Sequence, residues 1–452
     1  MNDTVKTVTE YACLTTKNKE QYTLSCQQIS VETFNILRRM DESSRRGGTP
    51  VFKSRDESSL YLSSYVGVIA GYGGTSIEIL PKLASCSGGD VERLRMLLVK
   101  MLNEVHGLPL ERGGAASVRR LKKPLVAWVV DQFLLCLQKL ALQGMCFAYE
   151  QKHEVCTFMR GRMDLSRQII LPPHRQHLFE VFHEVFSLNR PEHRLIKLAL
   201  DKCRCYAPHI DNAALLLSLS DGLRDIPASR NVSDDFMAWS SSRHMRQYEP
   251  VRPWCELVLS DTMPYAVSGE HSGISMLFPM EKLFEGYVTA KLQRMRKHEV
   301  RVEAQARGHY LCSLAFSEEG GARNFFLLKP DILLRQDGHV LFLIDAKWKI
   351  ISSGKGRNLG LSQEDFYQLY AYGQKYLDGK GDMALIYPWH GDFPQLDSPL
   401  AFSEDLRLWV LGYDLEEDGI VMPPSCPLRQ YLETGNDEWS FCRCFPAKKV
   451  VS

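Results

Sequence analysis

Two apolar runs, Phe325 to Leu334 and Val340 to Lys347, flank the pair Asp337-Gly338, and both carry charge where a buried strand tolerates it least. The first contains Pro330-Asp331, and the second ends Asp345-Ala346-Lys347. Residues two apart on a strand share a face, so Asp345 and Lys347 project together. The hairpin register decides whether Asp331 joins them. A two-residue Asp337-Gly338 loop pairs Gln336 with His339 and sends Asp331 to the opposite face. A three-residue loop, Gln336-Asp337-Gly338 with Gly338 left-handed in a G1 bulge, pairs Arg335 with His339. Asp331 then lies opposite Leu343, diagonal to Asp345. The bulged turn is the expectation, because the charges gather only when paired residue numbers sum to an even total.

Two carboxylates and a lysine on one face of the run Leu341-Phe342-Leu343-Ile344 are costly to bury without a use. Close carboxylates repel, and Mg²⁺, or Mn²⁺ in its place, removes that penalty while keeping most of its waters. Such an ion offers a Lewis acid at a scissile phosphate and a more acidic bound water. Lys347 could orient or deprotonate that water and stabilise the charge that develops. Glu285 borders the apolar stripe Phe284, Val288 and Leu292 of a preceding helix and is a candidate further ligand. Gln305 and Gln368 are candidate contacts to the site or to phosphate, with a solvated amide as the competing reading for each. Lys355 and Arg357 lie in a basic loop, Ser352 to Arg357, able to touch DNA phosphates; a plain solvated loop is the alternative. An isolated Asp-x-Lys is an ordinary surface ion pair. The Pro-Asp, the turn, the Glu-bearing helix before and the aromatic helix after set this one apart.

Around these residues the pattern reads α-β-β-β-β-α-β. Phe278 to Lys297 is a helix; Val300 to Gln305, Tyr310 to Phe316, Phe325 to Leu334 and Val340 to Lys347 are strands. Gln363 to Tyr376 is a helix and Met383 to Tyr387 a strand, giving a mixed sheet flanked by helices. Residues 1–90 read as mostly β, with a hairpin from Tyr61 to Leu80 and a flexible loop from Ser43 to Pro50. Helical spacing returns at Val91 to Val105 and at Leu125 to Leu142. The middle third reads as helical, with Phe179 to Phe186 and Leu195 to Cys205 as segments, and Ser229 to Pro253 as irregular. The fold class is α/β in a multidomain α+β arrangement. Residues 1–120 form an N-terminal β-rich domain, 121–270 a helical middle region, and 271–452 a C-terminal domain with an extension.

Together the site and its flanks resemble the PD-(D/E)xK nuclease fold, with Asp331, Asp345 and Lys347 matching its motif. The wider pattern is similar to the McrC family, the nuclease subunit of McrBC-type modification-dependent restriction systems. It is carried by Phe278 to Val288, Gln305, Lys329 to Leu333, Ile344 to Lys349, Asp365 to Tyr372 and Ile386 to Pro388. Upstream, Tyr65 to Ile69, Ile77 to Lys82, Arg160 to Asp164 and Leu188 to Pro191 extend it. The resemblance implies a hexameric McrB-like AAA+ GTPase as partner, which recognises modified DNA and translocates. It also implies that this chain's N-terminal part enters the ring, stimulates GTP hydrolysis, and that the chain cuts double-stranded DNA containing 5-methylcytosine. The sequence has no Gly-x-x-x-x-Gly-Lys-Ser/Thr loop, so no nucleotide is expected on this chain alone. Two other readings stay open: service to a different AAA+ partner or modification, and a non-cleaving activator of the motor.

Composition sets the remaining bounds. Of 452 residues 44% are hydrophobic, and 55 Lys+Arg nearly balance 54 Asp+Glu. That is the make-up of an ordinary globular protein with material for several cores. Near-neutral charge argues against tight DNA binding unaided. The basic bias lies in the first third, where Arg119, Arg120, Lys122 and Lys123 cluster; Ser43–Arg55 and Arg112–Lys123 are candidate partner or phosphate contacts. Thirteen cysteines in a chain this large read as reduced thiols of a cytoplasmic protein. The most apolar stretch, Leu125 to Ala148, is interrupted by Asp131, Gln132, Lys139 and Gln143, so no membrane association is expected.

Overall fold

The computed structural model describes residues 4–18, 22–44, 50–72, 75–83, 90–109, 123–204, 210, 212–259, 275–315, 322–354, 356, 358–433 and 442–445. They divide into two compact units that are not consecutive in the chain. One comprises residues 1–5, 68–77 and 108–276, and the other residues 6–67, 78–107 and 277–452. The fold is mixed α/β throughout.

In the second unit an eight-stranded mixed sheet runs in the order Arg301–Ala304, Ile332–Gln336, His339–Ala346, Gly381–Pro388, Leu406–Asp414, Gly419–Met422 and Cys442–Cys444, with Leu400–Ala401 added against Leu406–Asp414. Its centre is parallel where His339–Ala346, Gly381–Pro388 and Leu406–Asp414 lie side by side, and antiparallel on the flank carrying Asp331. The central strands are near-continuous apolar runs, as strands covered on both faces require. Helix Gln363–Tyr376 lays Leu369, Tyr372 and Tyr376 on one face, beside Leu333, Leu343, Met383 and Leu406. Its Gly373 is there for space: a Cβ would sit 2.9 Å from Leu406 and 3.0 Å from Met383, both fully buried. Gly373→Ala should therefore cost about 1–3 kcal/mol through overpacking, read as a lower urea midpoint at unchanged m-value.

The same unit recruits the early part of the chain. Helix Val91–His106, capped by the Asp90 side chain and ended by left-handed Gly107, packs along helix Met280–Met295. Arg95 from this helix reaches Glu78 through two hydrogen bonds of 2.8 and 2.6 Å, and Thr7 adds a third to the same carboxylate. Glu78 is fully buried and Arg95 nearly so. Removing one partner strands the other's charge, so Glu78→Ala should cost about 3–5 kcal/mol in chemical denaturation. A four-stranded sheet of Cys26–Gln28, Cys13–Thr15, Ser59–Leu62 and Phe52–Asp56 sits in this unit too.

In the first unit, helix Leu125–Gln143 is the core element. It is long and apolar enough to cross a membrane, yet 67% of it is buried inside the protein. Its buried Asp131 accepts hydrogen bonds from Lys123 and Asn212 at 3.1 Å each, and Trp128 packs on Trp254. Around it stand the helices Pro191–Cys203, Ala213–Gly222, Val232–Ala238 and Arg252–Leu259.

Several expectations need correction. Phe179–Ser187 is a strand, paired along its length with Ala148–Cys156. Its aromatics fit a helical stripe, but burial alternates at Val181 and His183, the period of a pleated strand. The nearby Gly161 is fixed by closeness, since a Cβ there would meet the Phe182 carbonyl at 2.2 Å. Val31–Ser44 is a helix within a region read as mostly β. The run Phe325 to Leu334 is two strands: Ala322–Leu328 pairs with His309–Ala315 in a separate ribbon, and the chain enters the main sheet only at Ile332. Between them Pro330 lacks the N–H a ladder needs. Residues 275–279 are strand, so the helix begins at Met280 and not at Phe278. The irregular stretch from Ser229 holds a helix, Val232–Ala238, and a 3₁₀ segment, Arg243–Tyr248. The boundary expected near residue 270, most of the basic stretch 112–123, and Lys355 and Arg357 lie outside the described residues.

Candidate active site

The hairpin brings Asp331 and Asp345 together by a different route from the one expected. Asp337 and Gly338 both have positive φ, 50° and 84°, and Gln336 pairs with His339, so the loop has two residues. Such a turn matches the twist of the strands it joins. The three-residue loop is thus corrected. The register then slips: Arg335 pairs with Val340 but Leu334 with Phe342, leaving Leu341 as a bulged extra residue. Beyond the bulge Ile332 pairs with Ile344, and continuing that register sets Asp331 directly opposite Asp345 instead of diagonal to it. The even parity holds; the bulge supplies it.

Asp345 is 1% exposed. The Lys347 ammonium lies 2.8 Å from its Oδ2, yet neither carboxylate oxygen accepts a hydrogen bond of ordinary geometry within the protein. Burial pushes its pKa up, against the pull of Lys347. Asp331 accepts a hydrogen bond from the Ala346 N–H at 2.9 Å. Burial first, then the neighbouring Asp345 and Glu285 carboxylates, push its pKa well above the usual carboxylate range. For Lys347, burial opposes the charge but the Asp345 carboxylate outweighs it, holding the pKa above its ordinary value. Lys347 also donates to Gln368 Oε1 at 3.1 Å. Gln368 in turn donates to the Tyr372 hydroxyl, which donates to the Lys329 carbonyl. The amide of Gln368 is therefore fixed by a chain of bonds reaching back to the residue before Pro330.

Glu285 projects from helix Met280–Met295 and accepts from Gln305 Nε2 at 2.9 Å. Burial, with a contribution from Asp345, raises its pKa. Gln305 sits in the left-handed region at φ 45°, and its N–H donates to the Asp331 carbonyl, so it ties Glu285 to the Pro-Asp strand. Asp331, Asp345, Lys347, Glu285, Gln305 and Gln368 thus form one connected constellation. The sequence reading missed Asp365, one turn before Gln368, whose charge acts on both Asp345 and Lys347. It also missed the fully buried Tyr387, whose hydroxyl faces Asp365. The i, i+3 spacing of Asp365 and Gln368 on one helix was the available signal.

The two Asp345 oxygens, buried and without hydrogen bonds, suit a hard cation, and the donor set of carboxylate oxygens suits Mg²⁺. Among the described residues no three His, Cys, Asp or Glu side chains converge as a ready-made metal cluster. An ion that takes one or two carboxylates and fills its shell with water and phosphate needs no such cluster.

The family model for McrBC 5-methylcytosine restriction system components matches residues 60–388. The chain belongs to this family. No curated protein matches it in sequence. Among solved structures it is similar to a chain of the refined half-complex from the tetradecameric assembly of Thermococcus gammatolerans McrB AAA+ hexamers with bound McrC. The identity is 16% and the TM-score 0.57, over 91% of this chain and 95% of that one. A chain of the cryo-EM structure of the Thermococcus gammatolerans McrBC complex matches at 16% identity and TM-score 0.44, over 64% of this chain and 88% of that one. The first likeness shows a shared fold along nearly the whole chain. Within the McrBC family, the mixed sheet described above is compatible with a nuclease-like fold.

Proposed function

We propose that this chain is the Mg²⁺-dependent DNA endonuclease subunit of a McrBC-type restriction complex, acting on 5-methylcytosine-containing double-stranded DNA with a McrB-like AAA+ GTPase. One observation carries the reading: Asp331, Asp345 and Lys347 share one face, and the buried Asp345 oxygens lack hydrogen bonds within the protein. The partner follows from the archaeal half-complex, in which McrB AAA+ hexamers hold bound McrC. The substrate follows from the family description.

Asp331 and Asp345 would hold the ion, with Glu285 as a third carboxylate at the edge of the site. When bound, Mg²⁺ supplies Lewis acidity at the scissile phosphate and a more acidic water. The protein's own groups supply position and charge. Lys347, held protonated beside Asp345, places a cation where negative charge grows on the phosphorus oxygens. Gln368 fixes the direction of that ammonium. Gln305 keeps the Glu285 carboxylate turned toward the strand. Lys355 and Arg357 are retained as proposed phosphate contacts.

The test is cleavage of methylated and unmethylated plasmid with Mg²⁺ and GTP, with and without the McrB-like protein. Cutting of methylated plasmid only, and only with the partner, supports the reading. Cutting of both plasmids by this chain alone would keep the nuclease site and remove the partner-dependent mechanism. No cutting under any condition would overturn the reading and leave service to a different AAA+ partner or modification, or a non-cleaving activator.

A further inference from the structure

We propose that Glu10 is a positioning residue for the nuclease site, acting through Trp348, so that the beginning of the chain holds the Asp345-Ala346-Lys347 strand end in place. The inference rests on the nuclease reading above.

Trp348 follows Lys347 directly, and its indole N–H donates to Glu10 Oε1 at 2.7 Å across 338 residues of sequence. The same oxygen accepts from the Lys82 N–H at 2.9 Å, and the Ser64 hydroxyl donates to the other at 3.4 Å. The Ser64 carbonyl also receives the Met280 N–H, the first residue of the helix that carries Glu285. The indole ring meanwhile packs on Phe284, centroids 5.3 Å apart, one residue before Glu285. Glu10 is thus the knot where the strand end bearing Lys347 and the helix bearing Glu285 are tied to the same early segment.

This carboxylate is 1% exposed, and burial pushes its pKa up to about 7 despite three hydrogen bonds. A group that costs stability where it stands calls for another use. Packing alone does not fix the indole either. A cavity of 480 Å³, lined by Tyr11, Leu83, Trp389, His390 and Leu415, adjoins Trp348, so the ring has room to turn once its bond is lost. A tilt there would be passed directly to Lys347, whose own N–H is anchored to the Ile386 carbonyl at 2.9 Å.

The experiment compares Glu10→Ala, Glu10→Gln and Trp348→Phe in the full chain, with Mg²⁺, GTP and the McrB-like partner on methylated plasmid. Glu10→Ala should lower kcat for cleavage about 10–100-fold, the range lost with supporting partners of site groups, while KM for DNA stays unchanged. Glu10→Gln should recover most of it, because an amide oxygen still accepts from the indole and from Lys82. Trp348→Phe removes the N–H and leaves an aromatic ring free to turn, so it should match Glu10→Ala, and the double variant should be no worse than either single one. Additive losses in the double variant, a loss confined to KM, or no recovery in Glu10→Gln would overturn the proposal. Should Glu10→Ala fail to fold, Trp348→Phe decides, and full kcat in that variant overturns it. A wild-type complex that cuts nothing overturns the nuclease reading as well; a cutting wild type with unaffected variants overturns this proposal alone.

Discussion

Asp345→Ala should reduce DNA cleavage by more than about a hundredfold while leaving stimulation of the partner's GTPase intact. Loss of a supporting partner around a metal ligand already costs about 10–100-fold, and Asp345 is proposed as the ligand itself. Its oxygens are enclosed, with the Lys347 ammonium 2.8 Å from Oδ2 as their charge partner, and an alanine there removes the proposed ligand outright. The loss should not come from unfolding. The charge at Asp345 is disfavoured by burial, and Lys347 keeps Gln368 as an acceptor and remains partly solvated. Melting temperature should therefore stay level or rise in the variant. Mg²⁺ should raise the melting temperature of the wild type, by binding the native state alone, and not that of Asp345→Ala. Normal cutting by Asp345→Ala would place the chemistry elsewhere.

A fragment of residues 277–452, which contains every described residue of the proposed site, should fail to fold by itself. Part of this unit's packing comes from the chain's beginning. Helix Val91–His106 buries Leu94, Leu97, Leu98, Met101 and Leu102. At about 1.5–3 kcal/mol per fully buried side chain, five such residues amount to about 8–15 kcal/mol, as much as a whole domain's net stability. The contacts are also polar and specific. Lys100 donates to the Leu415 carbonyl at 3.1 Å, Arg93 pairs with Glu416, and Glu104 meets Lys291 and Arg294 at 3.4 and 2.9 Å. The fragment is expected to show no cooperative thermal transition and to bind a hydrophobic dye. Co-expression with residues 1–107 should restore both solubility and a sharp melt. A fragment melting cooperatively near the full chain's temperature would show that these contacts add nothing essential.

What could be read from the sequence followed from local rules. Period two on a strand placed Asp345 with Lys347, and the cost of burying charge demanded an even register for Asp331. The aromatic helix Gln363–Tyr376 lies where its apolar spacing put it. The failures share a cause: they depend on partners distant in sequence. Phe179–Ser187 carries aromatics at both helical and strand intervals, and pairing with Ala148–Cys156 settled the matter. The ribbon of His309–Ala315 with Ala322–Leu328 hid inside an apolar run that looked continuous through Pro330. Asp365 was visible as a helix-start carboxylate, but its closeness to Asp345 is a product of the fold. Nothing local ties Glu10 to Trp348. The turn was misread because charge gathering was assigned to the loop, when a bulge three residues beyond it had the same effect.

That bulge has a consequence for how such a gene can vary. Leu341 carries no charge and touches no substrate in the proposed chemistry, yet by standing outside the ladder it decides the face on which Asp331 falls. Paired into the ladder instead, it would set Asp331 opposite Ile344 and turn it away from Asp345. Removing its codon closes the bulge and keeps Ile332 opposite Ile344, so Asp331 still faces Asp345. Adding a codon beside it, with one residue still bulged, sets Asp331 opposite Ile344. Inheritance can therefore lose a residue at this point more safely than it can gain one.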